Sequence, residues 1–284
     1  MATAQDVKAI VEQIPSPDKN GTYVNLDEAK IGQIEKTVAQ LQQGGRDAVA
    51  ALIGMLVEPG AGDDIKPRWA LHLLAVRAAA PGNDAARKEY ALAVAAHLGG
   101  DRPKEVQKYL IEKLQIAGGP EVLEALGRAL LDDELCDTAA RALAAIGGEA
   151  DRQLLAAWPR VKGRSRLSVI KKLAVLRCAA AAEIFRSALN DADADVRIAG
   201  AWGIARIGDA AGTEALLKCA DAHEGWERIN ETDACMMLAE ALAAAGNRQA
   251  AAKIYEHISR TRNEQWETPI RQAAERGLAA VRQQ

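Results

Sequence analysis

Aromatic residues are scarce in this chain of 284 residues: they make up 4% of it, with a single Phe. Sheets draw on aromatic and β-branched side chains, so the shortage argues against strands. Long apolar runs are missing as well. No stretch of about 18 apolar residues occurs, which excludes a membrane-spanning helix of ordinary length. A dominant charge is also lacking, since the formal net charge is −3. Proteins that grip nucleic acid along their length carry a basic excess, so nucleic acid is not an expected partner. Cys136, Cys178, Cys219 and Cys235 are too far apart for a CxxC metal set and do not form a disulfide framework. Free thiols in apolar stretches fit a reducing, cytoplasmic location. Met1 to Ile14 carries Asp6 and Glu12 and lacks the apolar core of a signal peptide. The alternative is an exported protein already parted from its leader.

Alanine is abundant instead, at roughly a fifth of the residues, far above its usual share. It is the best helix former and lets helices approach closely. Hydrophobic residues at 49% and charged residues at 26% describe a folded chain. An all-α protein follows.

The helices repeat. Asp195 to Asp209 opens on a helix-start signal and closes on Gly208-Asp209, where glycine suits the left-handed residue after a helix. Ile198, Ala201, Trp202 and Ala205 recur at helical spacing, which predicts an amphipathic first helix. A second helix follows over 210–220, with Ala215, Leu216 and Cys219 on one face. The closing position recurs at 118, 147, 177, 208 and 246, at intervals of 29, 30, 31 and 38 residues; Arg177 replaces glycine at the third. Two helices and two turns in about 30 residues make a solenoid unit.

Asp195-x-Arg197 within Asp-Val-Arg-Ile-Ala-Gly-Ala-Trp-Gly-Ile-Ala-Arg-Ile-Gly-Asp resembles the HEAT repeat, in its short bacterial, PBS-lyase-like form. Residues 188–222 match best and 129–160 well, and the likeness extends over most of 64–282. It implies a right-handed α-solenoid, with second helices near 84–98, 120–131, 150–158, 180–189, 210–221 and 247–260 lining a concave face. It also implies that Asp195 and Arg197 act as a ladder between units. The same register gives Arg68 and Arg166, but Gln107 and Cys136 interrupt it.

The ends depart from the repeat, as ends with one unpartnered face must. A short helix over about Thr3–Ile14 and a Pro15–Gly21 loop precede a long helix over Asn25–Gln43, with Asn25 as its cap candidate. A partner helix is expected over Arg46–Val57 and a closing helix over about Thr268–Val281. The expected organisation is one elongated repeat domain, 1–284: capping helices over 1–63, repeats over 64–263 and a closing helix over 264–284.

No GxSxG, Walker loop or HExxH is present. His72, His97, His223 and His257 show no Cys partner at metal spacing in the linear sequence. HEAT-type di-iron hydroxylases use several His-Glu pairs, and His223-Glu224 is the one such pair here. Neither metal nor other cofactor is therefore expected, and no catalytic residue is assigned.

Two regions suit a partner. Arg160, Lys162, Arg164, Arg166, Lys171, Lys172 and Arg177 occur without an acid over 160–177. They read either as a solvated helix start offset by neighbouring acids or as a basic patch for an acidic partner, centred on Arg160, Lys162, Arg164 and Arg166. HEAT-like DNA glycosylases use basic faces, but also an aromatic cleft that this composition disfavours. Of five tryptophans, Trp69 and Trp202 have core spacing and Trp158 closes a second helix. Trp226 and Trp266 lie in polar stretches before helices, in the lengthened units. They either fold back over helix ends or, with Arg228, Arg260 and Arg262, form an aromatic–arginine partner site. The reading is a non-catalytic scaffold for a protein or peptide partner. The alternative is a phycobilin-lyase-like, chromophore-handling accessory protein.

Overall fold

The structure, a computed structural model, describes residues 4–16, 24 and 26–283. Among these the backbone is helical throughout its regular parts, with no strand. The chain divides into two compact units, Met1–Gln153 and Leu154–Gln284.

The first unit holds α1 (Ala4–Val11), α2 (Glu28–Gln43), α3 (Gly45–Gly54), α4 (Ile65–Ala78), α5 (Asp84–Ala95), α6 (Lys104–Ala117), α7 (Leu123–Ala129) and α8 (Cys136–Ile146). The unit boundary falls within α9 (Ala150–Ala157). From α4 onward the helices alternate, and first helices stack on first helices: α4 on α6, and α6 on α8. Asp27 caps α2 by accepting the Lys30 amide at 2.8 Å, so the helix starts at Glu28; Asn25 lies outside the described residues. Thr3 and positions 17–21 of the expected loop lie outside them too, and α1 ends at Val11 rather than Ile14.

The second unit holds α10 (Gly163–Val175), α11 (Ala182–Ala188), α12 (Ala194–Ile207), α13 (Thr213–Ala222), α14 (Gly225–Ala244), α15 (Arg248–Thr261) and α16 (Thr268–Gln283). Here α10 packs on α12 and α12 on α14, while α11 packs on α12 and α15 on both α14 and α16. The second helices fall where the repeat spacing puts them, and α7, α11 and α13 are each entered through a single 3-10 turn.

Because a first helix meets both neighbours and its own partner, it is buried on more than one side. On α12, Val196, Ala199, Gly200, Ala201, Gly203, Ile204 and Ala205 are all buried, so the expected single apolar face is too narrow. Trp202 and Ile198 are only half-buried, as is Trp69. On α13 the buried residues are Thr213, Leu216, Leu217, Cys219 and Ala220, with Ala215 exposed.

Small residues set the spacing. A Cβ on Gly200 would lie 2.8 Å from both the Ala188 Cβ and the Phe185 carbonyl, and one on Gly203 would land within the Phe185 ring. The only Phe of the chain thus fills, fully buried, the space that two glycines leave.

The predicted ladder exists with a different acceptor. Arg197 donates from Nε and Nη2 to both oxygens of Glu227, at 2.5 and 2.9 Å, and from Nη1 to the Asp191 carbonyl at 2.6 Å. It therefore ties its own preceding loop to the start of the next first helix. Asp195 takes no part; it is exposed, and its amide donates to the Asp193 cap at 2.9 Å. Arg166 pairs with Asp191 at 3.0 Å. At the same register Gln107 keeps the loop-tying half of the role, accepting from the Gly99 amide at 2.9 Å and donating to the Arg102 carbonyl at 2.8 Å. The tie to the next repeat passes to Lys104, which pairs with Asp132.

Two substitutions test this packing with opposite signs. Gly203→Ala should gain about 1 kcal/mol of helix propensity but lose about 1–3 kcal/mol to overpacking against Phe185, so urea unfolding should show net destabilisation. Arg177 is exposed at φ 51° where Gly208 stands at φ 66° one repeat later. Arg177→Gly relieves a left-handed strain of about 1–2 kcal/mol against an unfolded-state entropy loss of up to about 1 kcal/mol, so it should stabilise slightly.

Candidate functional site

α14 runs for 20 residues, against 14 for α12. Its exposed side carries Trp226, Ile229, Asp233 and Met237, at offsets of 3, 7 and 11 residues that keep them on one stripe. Trp226 is 70% exposed and Trp266 53%, high values for the largest apolar side chain. Trp266 stands on the 3-10 turn Gln265–Glu267, which leads into α16. Between α14 and α16 lies a cleft of about 350 Å³, lined by Ile229, Thr232, Asp233, Trp266, Pro269 and Ile270 over a floor that includes Glu267. Asp233 makes no ion pair among the described residues, and partial desolvation raises its carboxyl above the ordinary value.

The turn that presents Trp266 is held from beneath by charge. Glu267 is 2% exposed; its Oε1 accepts from Arg228 Nε at 2.6 Å and its Oε2 from the Glu264 amide at 3.1 Å, closing a capping box. Burial is the largest influence and pushes the Glu267 carboxyl up, but the Arg228 hydrogen bond, the Glu264 amide and the charges of Arg228 and Arg262 together hold the group below its usual value. Arg228 also reaches the Thr261 carbonyl at 3.3 Å. This is the ladder arginine of its repeat, standing 31 residues after Arg197 just as Arg197 stands 31 after Arg166.

Arg262 lies deeper, with no exposed surface. It donates to Thr232 at 2.9 Å, Asp221 at 2.6 Å and Thr261 at 2.8 Å. Asp221 also accepts from His257 at 2.7 Å. Burial raises the Asp221 carboxyl, and the Arg262 and His257 hydrogen bonds more than offset this.

Of the five residues expected to meet a partner, the fold therefore exposes Trp226, Trp266 and Arg260, whereas Arg228 and Arg262 support the site from inside. Arg260, 73% exposed, pairs with Glu256 at 2.7 Å. The tryptophans do not fold back over helix ends. Sequence reading missed the inward arginines because repeats were counted from the closing glycine, where the interval is 38; counted from the arginine it is 31. Nothing in local sequence flagged Asp233 or Ile229.

In the basic segment Arg166 is internal, paired with Asp191 and stacked over the Trp158 ring at 3.9 Å from its centroid. Arg160, Lys162 and Arg164 are exposed at the start of α10 and unpaired among the described residues. The neighbouring acids thus offset one of the four.

The histidines differ among themselves. His72 stacks on Trp69, and His97 lies 3.4 Å from Arg102; burial first, then the nearby cation, lowers both imidazoles. His223 does meet a cysteine. Cys219 and His223 are four residues apart across the end of α13, and Glu231 of α14 faces both. The Cys219–His223 pair is legible in the linear sequence, contrary to the expectation that no histidine has a cysteine at metal spacing; only Glu231, from the next helix, needed the fold to join it.

No family model matches the chain, and no curated protein does. Solved structures align at low similarity. Human deoxyhypusine hydroxylase, in complex with glycerol, is 18% identical over 83% of this chain and 96% of its own, with a TM-score of 0.32. An engineered protein is 19% identical over 98% and 97%, at 0.30. A designed armadillo repeat protein in complex with the peptide (KR)4 is 18% identical over 96% and 99%, at 0.29. Scores of this size give no residue a role.

The supporting role of Arg262 predicts a contrast with Arg260. Arg262→Met should lower unfolding stability by about 1.5–3 kcal/mol, because the charge-assisted hydrogen bonds from a fully buried guanidinium to Asp221 and Thr232 are lost. Arg260→Met, at an exposed pair, should change it by less than about 0.5 kcal/mol. Equal, small shifts in urea unfolding would contradict this.

Proposed function

We propose that the chain is a non-catalytic, HEAT-like repeat scaffold of the short bacterial type, and that it binds a peptide segment of a protein partner in the cleft between α14 and α16. The observation that carries this reading is Trp266, an exposed ring on a charge-locked turn at the mouth of an apolar cleft. A rigid aromatic whose supporting turn is already ordered loses little entropy on binding. Ile229, Pro269 and Ile270 suit an aliphatic side chain. Asp233, an unpaired carboxylate on the cleft wall, suits a Lys or Arg beside it, since a carboxylate that loses water needs a cation. Trp226, one turn before Ile229 on the same stripe, extends the apolar surface.

The test is selection of a random peptide library on the full chain, followed by affinity measurement on single variants. The selected pool should be enriched in an aliphatic residue next to Lys or Arg. Trp266→Ala should weaken those peptides by more than about tenfold, the loss of a hot-spot anchor, with a melting temperature within about 2 °C of the parent, a shift worth about 1 kcal/mol or less at this size. Asp233→Asn should weaken basic peptides selectively. Unchanged affinity in Trp266→Ala, or a fall of several degrees in melting temperature, refutes the assignment.

A further inference from the structure

On the other side of α14, away from the cleft, three donors converge. Cys219 is on the last turn of α13 and His223 is its C-terminal cap, in extended backbone at φ −110° and ψ 167°. Only Glu224 separates His223 from α14. This short connection folds the imidazole back over Glu231, which lies two turns into α14 and is fully buried. His223 Nδ1 stands 2.9 and 3.1 Å from the two Glu231 oxygens, and Cys219 Sγ stands 3.0 Å from Oε1 and 3.9 Å from Nδ1. The thiol also approaches the Leu189 carbonyl at 3.6 Å.

We propose that Cys219, His223 and Glu231 form a mononuclear binding site for a zinc-class divalent cation. Zinc takes thiolate, imidazole and carboxylate together, and bonds of about 2.0–2.3 Å in a tetrahedron put neighbouring donors about 3.3–3.6 Å apart. The observed spacings of 3.0, 2.9 and 3.9 Å bracket that range, so side-chain shifts of a few tenths of an ångström complete it. The donor chemistry excludes calcium and magnesium, which prefer oxygen shells. Charge balances as well: one thiolate and one carboxylate match a dication. Glu227 Oε1 is 3.2 Å from the same nitrogen, but its two oxygens are engaged by Arg197, whose positive charge neutralises it. With Nδ1 given to the cation there is no proton on it for Glu227, which stays with Arg197 and is not counted among the ligands. That leaves the fourth position open on the His223 side, the most exposed of the three ligands.

The competing account is a metal-free cluster in which the thiol and the imidazole N–H satisfy the buried Glu231 side chain. Cobalt(II) titration of the full-length, reduced protein after chelation separates the two. The proposal expects one equivalent to bind, with tetrahedral d–d bands and a thiolate-to-cobalt charge-transfer band that zinc abolishes by displacement. Cys219→Ser should lose the charge-transfer band, and Glu231→Gln should weaken binding by more than about tenfold, since loss of even an outer partner costs 10–100-fold. His223 is the most exposed of the three donors, and an asparagine amide can still donate to Glu231, so His223→Asn provides a third variant should either of the others unfold, with the same loss expected. Absence of stoichiometric cobalt in the parent, a charge-transfer band that persists in Cys219→Ser, or parent-like affinity in His223→Asn overturns the site. Peptide binding in the cleft involves none of these residues, so either assignment can fail alone.

Discussion

The contact on which both candidate sites depend is the charged tie between the opening turn of one first helix and the opening of the next. Arg197 grips Glu227, and Arg228 grips Glu267. These pairs are largely shielded from solvent and made through well-formed, charge-assisted hydrogen bonds, each worth about 1.5–3 kcal/mol. Against an apolar replacement of equal volume their net gain is small. What they supply is register: a flat alanine-rich helix surface offers few knobs to stop one helix sliding along another, whereas the bidentate Arg197–Glu227 pair, and the Arg228 guanidinium shared between Glu267 and two backbone carbonyls, each accept one alignment.

Each tie places a function-bearing turn. Glu227, fixed by Arg197, stands beside His223 and completes the surroundings of the Cys219–Glu231 cluster. Glu267, fixed by Arg228, locks the 3-10 turn from which Trp266 projects. Both acceptors belong to the lengthened repeats, where α14 and the α15–α16 connection depart from the 30-residue rhythm. Glu227 and Glu231 lie one helical turn apart on the α13 side of α14. Ile229 and Asp233 lie two residues further along each, about 200° around the axis, and face α16. One helix thus serves a polar donor cluster and an apolar cleft without either intruding on the other.

Small residues and the ties divide the work. Gly200 and Gly203 bring α11 and α12 close enough for Phe185 to fill the gap, which makes the interior dense with few large side chains. The cost is a surface with little aromatic content to spare, so the two exposed rings at Trp226 and Trp266 are a departure from the pattern of the whole chain rather than a sample of it.

Composition and spacing alone determined the all-α class, the two-helix repeat and the positions of the second helices, because alanine content and period are local properties that every repeat restates. The resemblance to the HEAT motif pointed to the opening arginines Arg68, Arg166 and Arg197, and the polar surroundings of Trp226 and Trp266 picked out those rings. What packing decided is which way each side chain faces. Arg228 and Arg262 look in sequence like partners of the tryptophans, and only the stack shows that they reach inward to Glu267 and Asp221. Asp195 looks like the acid of the ladder, yet the geometry of successive first helices puts Glu227 in reach instead. Cys219 and His223 acquire their third ligand from a helix that returns after a two-residue connection. A sequence carries its periods in plain view, but a site assembled across helix ends exists only once the turn between them has fixed the distance.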